Sequence, residues 1–283
     1  METGRNFMTQ PTSNSNNNTP TGKRLSVQVS LSGLSFLVSN DRGREVLLYD
    51  TKTYTTSPTP EDLLSDIESF LKSNNLSKHD VDDVCVIYAT NMYALVPTSL
   101  FEPEKASEYL KFNNKILATD YIAYEALSDQ DITVVYIPYV NVNNYFFDTF
   151  GSFSYFHSTT LLLDALWPIV RFSSQAEVYI HVQKEALDCI AMKNGSLQLC
   201  NTFPYKSPED FVYYVLFLLE QLSLDPNTVK VRVFGSISET SDTYTLLYRY
   251  VNNLKLLDTS RFSLPKFPSE ESPHQNFLLK TSL

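Results

Sequence analysis

One order of elements is spelled twice along this 283-residue chain, and that repetition constrains the fold more than its composition does. Leu25-Ser26-Val27-Gln28-Val29-Ser30-Leu31, Leu34-Ser35-Phe36-Leu37-Val38 and Val46-Leu47-Leu48-Tyr49 have the spacing of short strands, with a turn at Asn40-Asp41-Arg42-Gly43. Period-two alternation broken by turn residues predicts antiparallel strands. Thr59-Pro60-Glu61-Asp62 then opens a helix: a threonine suited to capping, a proline suited to the first turn, and carboxylates at the positive end of the dipole. Leu63, Leu64, Ile67, Phe70 and Leu71 share one face of it. Strands are expected at 84–88, 92–96, 120–126, 133–137 and 153–156, with a helix over 104–112 and another opened by Ser158 and carrying Leu161, Leu162, Ala165 and Leu166. Trp167, before Pro168, reads as an anchor at that helix's end.

The second half repeats the grammar. Strands are expected at 177–182, 186–192 and 196–203, with Asn194-Gly195 as a hairpin turn of the favoured kind. Ser207-Pro208-Glu209-Asp210 opens an apolar helix to about Leu222 and matches the earlier Thr59 motif position for position. A strand at 229–234, Gly235, a polar helix over 240–250 and a strand at 254–257 follow. Three antiparallel strands, a capped helix, a strand, a helix and a strand thus occur in both halves, the mark of a duplicated α/β unit. Residues 1–24, with Ser13-Asn14-Ser15-Asn16-Asn17-Asn18-Thr19, carry too little apolar surface to offset the entropy of ordering and read as a disordered tail. Residues 25–172 are expected to form a first subdomain, 173–260 a second, and 261–283 an irregular C-terminal segment that docks through Phe277 and Leu278.

Composition narrows the function. The net charge is −10, with 22 basic and 32 acidic residues, and no basic stripe tracks a phosphate backbone, so nucleic-acid binding is not expected. No apolar run approaches the roughly 18 residues of a membrane span. Cys85, Cys189 and Cys200 are an odd, dispersed set that reads as buried thiols, and His79, His157, His181 and His274 show no metal-ligand spacing. Free thiols, an opening segment without an apolar stretch, and the acidic balance point to a reducing cytoplasm.

The duplicated unit is similar in topology to the ribonuclease-H-like domains of the superfamily of actin, the heat-shock ATPase chaperones and the sugar kinases. The segments 95–101 with 104–113, Phe156-His157-Ser158-Thr159-Thr160, His181-Val182-Gln183-Lys184, and 194–195 through 205–211 resemble a bacterial family of unknown function with an actin-like ATPase fold. The resemblance spans about residues 25 to 258. It implies an α/β chain of two ribonuclease-H-like subdomains, each a mixed sheet flanked by helices, closing on a cleft.

The resemblance also implies a test. Actin-fold ATPases grip phosphates with two hairpins that carry an Asp for Mg²⁺ and a nearby Gly for close backbone approach. The first hairpin here has Ser30, Ser32 and Gly33 but no Asp; the second has His181 where the Asp is expected and Gln183 where the Gly is expected. The adenosine-site glycines reduce to one, in Phe234-Gly235-Ser236. Ser30, Ser32, Gly33, His181, Gly235 and Ser236 are therefore the cleft candidates. Gly235 also reads as an ordinary strand-to-helix turn, and His181 as a structural or surface imidazole. Asp188 and Glu185 alternate across a hairpin from His181, so no acid–base pair is assigned, and Ser158 beside His157 reads as a helix cap rather than a nucleophile. The helix 211–219, apolar nearly all round, is either buried or turned to a partner. The expected function is non-catalytic interaction or assembly with a protein partner and without a cofactor; the alternative is an atypical enzyme binding ATP with Mg²⁺ in the cleft.

Overall fold

The computed structural model describes residues 22–40, 45–117, 119–262, 264–265, 267 and 272–283; residues 1–21 of the expected tail and residues 41–43 of the expected turn lie outside them. The chain begins with β1 (Arg24–Val29), β2 (Gly33–Asn40), β3 (Glu45–Thr53), α1 (Pro60–Ser73) and β4 (Asp83–Tyr88). An insertion follows, comprising β5 (Tyr93–Pro97), α2 (Ala106–Lys111), β6 (Ala123–Leu127) and β7 (Ile132–Tyr136). Then α3 (Val140–Phe150), β8 (Ser154–His157) and α4 (Ser158–Val170) complete the half. The second half runs β9 (Glu177–Val182), β10 (Ala186–Lys193), β11 (Ser196–Pro204), α5 (Pro208–Gln221), β12 (Lys230–Gly235), α6 (Asp242–Tyr248) and β13 (Asn253–Leu256), and α7 (Phe277–Thr281) lies near the C-terminus.

Two five-stranded mixed sheets result, in the orders β3-β2-β1-β4-β8 and β11-β10-β9-β12-β13. In both, the first strand is antiparallel to the second and parallel to the fourth. The duplication is therefore one of topology. The matched helix openings also behave alike. Thr59 Oγ1 accepts the Asp62 N–H at 3.1 Å while Asp62 accepts the Thr59 N–H at 3.0 Å, and Ser207 Oγ accepts the Asp210 N–H at 3.2 Å.

The insertion differs from the sequence reading, in which its strands belong to one uninterrupted subdomain. The strands β5, β7 and β6 form a separate antiparallel sheet. One side of it has a small core of its own, where Val96 and Val135 meet Ala106 and Leu110 of α2; Val134 and Tyr136 belong instead to the main core. The helix that matches α6 in the first half is α3, which sequence patterning did not reveal. Its residues are β-branched, aromatic, Asn or Asp, its N-cap Tyr139 supplies no capping side chain, and its buried face is only Val142, Phe146 and Phe150. Packing against α1 and the Phe146–Phe150 and Phe146–Phe153 contacts at 5.9 and 5.8 Å override weak propensity. Helix α4 continues through Pro168 to Val170 rather than ending at Trp167; the proline gives up the bond to the Asp164 carbonyl, and burial of Leu166 and Val170 offsets it.

Helix α7 lies between the halves. Phe277 is fully buried, its ring 4.8 Å from Phe234 of β12 and 5.0 Å from Phe262, and Ser282 Oγ donates to Ser26 Oγ of β1 at 2.9 Å. No helix among the described residues is long and apolar enough to cross a membrane. Because Ser207 holds the first turn of an apolar helix, Ser207→Ala is expected to lower stability by about 1 kcal/mol in urea unfolding, with an unchanged m-value.

Candidate functional site

The two hairpins face each other across a cleft of about 240 Å³, and Ser30, Ser32, Gly33, His181, Gly235 and Ser236 all line it. Five segments supply it: the β1–β2 turn, β3 from Tyr49 to Thr53, the end of β9 with the turn after it, the end of β12, and Asn276 with Leu278 at α7. Gly33 is required by close approach, since a Cβ there would stand 2.6 Å from the Lys52 carbonyl oxygen of β3. Gly235 has φ +89°, and its Cβ would meet the Val182 carbonyl oxygen at 2.5 Å and the His181 ring at 3.0 Å. Glycine is thus demanded there both by backbone conformation and by space.

Each hairpin turns its hydrogen bonds inward. Ser30 Oγ donates to the Gly33 carbonyl at 2.8 Å, accepts the Gly33 N–H at 3.0 Å, and lies 3.1 Å from Ser32 Oγ. In the second hairpin, His181 Nδ1 lies 2.9 Å from Asp188 Oδ2, which also accepts Gln183 Nε2 at 2.8 Å; Asp188 Oδ1 accepts Thr202 Oγ1 at 2.7 Å. Asp188 is 2% exposed. Burial works to raise its carboxyl, but His181, Thr202 and Gln183 together hold it below the usual carboxylate range. A charged Asp188 makes His181 Nδ1 the donor and leaves Nε2 on the Gly235 side. Across the cleft, Lys184 Nζ at the second hairpin's tip donates to the Tyr54 carbonyl of the first half at 2.9 Å. A smaller hollow of about 160 Å³ shares Ser30, Ser32 and Gln183 and carries Glu185 on its rim.

The His181–Asp188 pair corrects the sequence reading, which withheld it. Alternation along the chain hides it, but the β9–β10 register sets Asp188 directly opposite His181. Placing the turn at residues 183–186 was the signal that could have found it. Ser158 is likewise not the cap of α4. His157 keeps extended backbone and its Nδ1 accepts the Thr159 N–H at 3.2 Å, while Nε2 faces the Thr90 carbonyl at 3.1 Å. Both imidazole nitrogens are engaged, and burial pushes the His157 pKa down to about 4, so this ring serves no hydroxyl as a base.

Beside it stands Glu125 of β6, which no sequence pattern singled out. Glu125 accepts the His157 N–H at 3.0 Å and the Tyr136 hydroxyl, and burial pushes its pKa up to about 7. Helix α5 resolves the question posed by its apolar circumference: Phe211, Val212, Val215, Leu218 and Leu219 are buried, whereas Tyr213 and Phe217 are exposed and stack at 6.0 Å. The three free cysteines are buried or half-buried, and burial raises the pKa of all three.

Paired ribonuclease-H-like sheets with facing hairpins define the actin-like ATPase fold. Within that class the chain belongs to the family described as protein of unknown function (DUF3822), whose model matches residues 12–254. It is similar to a Bacteroides thetaiotaomicron protein with an actin-like ATPase fold and unknown function, at 18% identity and a TM-score of 0.77, over 93% of this chain and 95% of that one. It is also similar to a chain of the PilM–PilN type IV pilus biogenesis complex, at 12% identity and a TM-score of 0.54, over 85% of this chain and 92% of that one. No curated protein matches the chain in sequence.

Two outcomes follow from these environments. Removing the Asp188 carboxylate strands the buried His181 and the half-buried Gln183 and Thr202, so Asp188→Ala is expected to cost about 2 to 3 kcal/mol, read by thermal unfolding. Folded Glu125 holds its proton up to about pH 7 and the unfolded chain only to about 4.5. Its stabilising contribution is complete below about pH 4.5 and lost as pH rises through about 7. Urea unfolding at stepped pH is expected to show this fall, at most about 3 kcal/mol, and Glu125→Gln is expected to remove it.

Proposed function

We propose that this chain is a non-catalytic actin-like-fold module that works by binding a protein partner in a reducing compartment, with residues 25–172 and 173–260 as its two subdomains. The observation that carries the reading is the state of the two hairpins. The groups that meet phosphate and metal in such a fold are committed here to the protein itself. The Gly33 N–H is taken by Ser30, the Asp188 carboxylate is buried under three donors, and Lys184 bridges to Tyr54.

The donor set does not fit a Mg-nucleotide. Hard divalent cations need several oxygen ligands, carboxylates foremost. Glu185 on the rim of the smaller hollow joins no cluster of three His, Cys, Asp or Glu residues among the described residues. Exposed aromatic side chains on α5 favour a partner, since large apolar groups left in water often mark interaction surfaces. The PilM–PilN structure lends support by analogy, as a chain of similar fold in a complex with another protein.

Calorimetric titration with Mg-ATP, and with ATP in EDTA, tests the reading. No saturable heat and no thermal shift with either is the expected result. Micromolar, Mg²⁺-dependent binding overturns it in favour of a nucleotide-using enzyme built on Ser32 and His181.

A further inference from the structure

A groove of about 670 Å³ runs between the inserted sheet and the second large sheet. Its two walls are strand edges. Among the described residues β5 pairs only with β7, and β11 only with β10. The hydrogen bonds from Ile137 N–H to the Met92 carbonyl and from Thr98 N–H to the Asp131 carbonyl bracket β5. Even-numbered residues therefore turn their backbone groups toward β7, while Tyr93 and Leu95 each turn an N–H and a carbonyl, and Pro97 a carbonyl alone, to the open side. The bond from Tyr205 N–H to the Glu185 carbonyl sets the phase of β11 in the same way, leaving the Cys200 and Thr202 backbone on its open side. The strands are pinned together at one end, where Tyr93 Oη lies 3.3 Å from Thr202 Oγ1. Beyond that pin they frame the groove, with Trp167 of α4, Leu197 and Leu199 as apolar lining.

We infer that this groove takes an extended segment of a partner protein, which adds as a strand to the open edge of β5 or β11, with a Lys or Arg set against Asp131. The inference rests on the protein-binding reading above and gives it a surface. Unpaired ladder groups are a template for another strand: main-chain hydrogen bonds supply affinity, and alternate side chains supply specificity. Charge selects the occupant. The groove is lined by one carboxylate, Asp131, and by no basic side chain. A second copy of this chain would oppose Asp131 to Asp131 within a molecule of net charge −10, whereas a basic extended segment is complementary.

Display of random peptides against the intact chain, followed by synthesis and fluorescent labelling of the enriched peptide, tests this. The expected peptide alternates apolar and polar residues with a Lys or Arg near one end, and gives saturable anisotropy. Asp131→Asn keeps the left-handed backbone at φ 52° and the acceptor for the Ser99 N–H while removing the charge. It is expected to weaken binding roughly tenfold, with Tm unchanged. N-methylation at alternate peptide residues is expected to abolish binding, which burial of apolar side chains alone would survive. Failure to enrich any peptide, or unchanged affinity for the variant or for the N-methylated peptide, overturns the inference. So does a doubled mass in light scattering, which would put a second copy on the edge. If these fail while Mg-ATP is silent, the groove is rejected and the protein-binding reading stands. Binding of Mg-ATP rejects that reading itself.

Discussion

The contact on which the arrangement of the molecule depends is Phe277 against Phe234, within a helix that touches β1 and β12 together. Fully burying a phenylalanine is worth about 1.5 to 3 kcal/mol, a sizeable fraction of the net stability of an ordinary domain. The second sheet has its own core on the side of α5 and α6, while its other face, with Tyr179, Ile190, Met192 and Phe234, joins the core of the first sheet in which Phe277 sits. The buried bond from Ser282 to Ser26 adds direction to a contact that apolar packing leaves unspecific. With the sheets held in this relation, the two hairpins meet at the cleft and the edges of β5 and β11 meet at the groove.

Within the cleft, the economy of hydrogen bonds decides the chemistry. An actin-like site works when backbone N–H groups and carboxylates are left for phosphate and metal. In this chain Ser30 closes the first hairpin upon itself, and Asp188 is neutralised locally by three donors. A buried carboxylate so satisfied is a structural post for β9, β10 and β11, because withdrawing it would strand all of its donors at once. The same post is joined by Tyr93 to the insertion, since Thr202 bonds both Asp188 and Tyr93. Cleft and groove thus share one polar network.

Much of the fold was legible locally. The two capped helix openings, the alternating strands and the Asn194-Gly195 turn carry their signals within a few residues, and the repetition of their order implied the two matched sheets. The cleft candidates were legible by the same route, because turn residues at the ends of β1, β9 and β12 must gather once the topology is known. Helix α3 escaped because nothing in Val140-Asn141-Val142-Asn143-Asn144 favours a helix; packing of Phe146 and Phe150 forms it. Glu125 escaped because a strand glutamate looks solvated until Tyr136 and the His157 backbone are placed beside it.

By itself, then, the sequence determined the duplicated α/β unit and its helix caps. Only the tertiary structure decided that His181 faces Asp188, that Lys184 spans the cleft to Tyr54, that the insertion forms its own sheet, and that two strand edges are left open beside each other. The physical reason is range. Caps and turns are satisfied within a few residues of chain, whereas the His181–Asp188 pair needs the register of a hairpin and the Lys184–Tyr54 and Tyr93–Thr202 contacts join residues 130 and 109 apart, which no local pattern records.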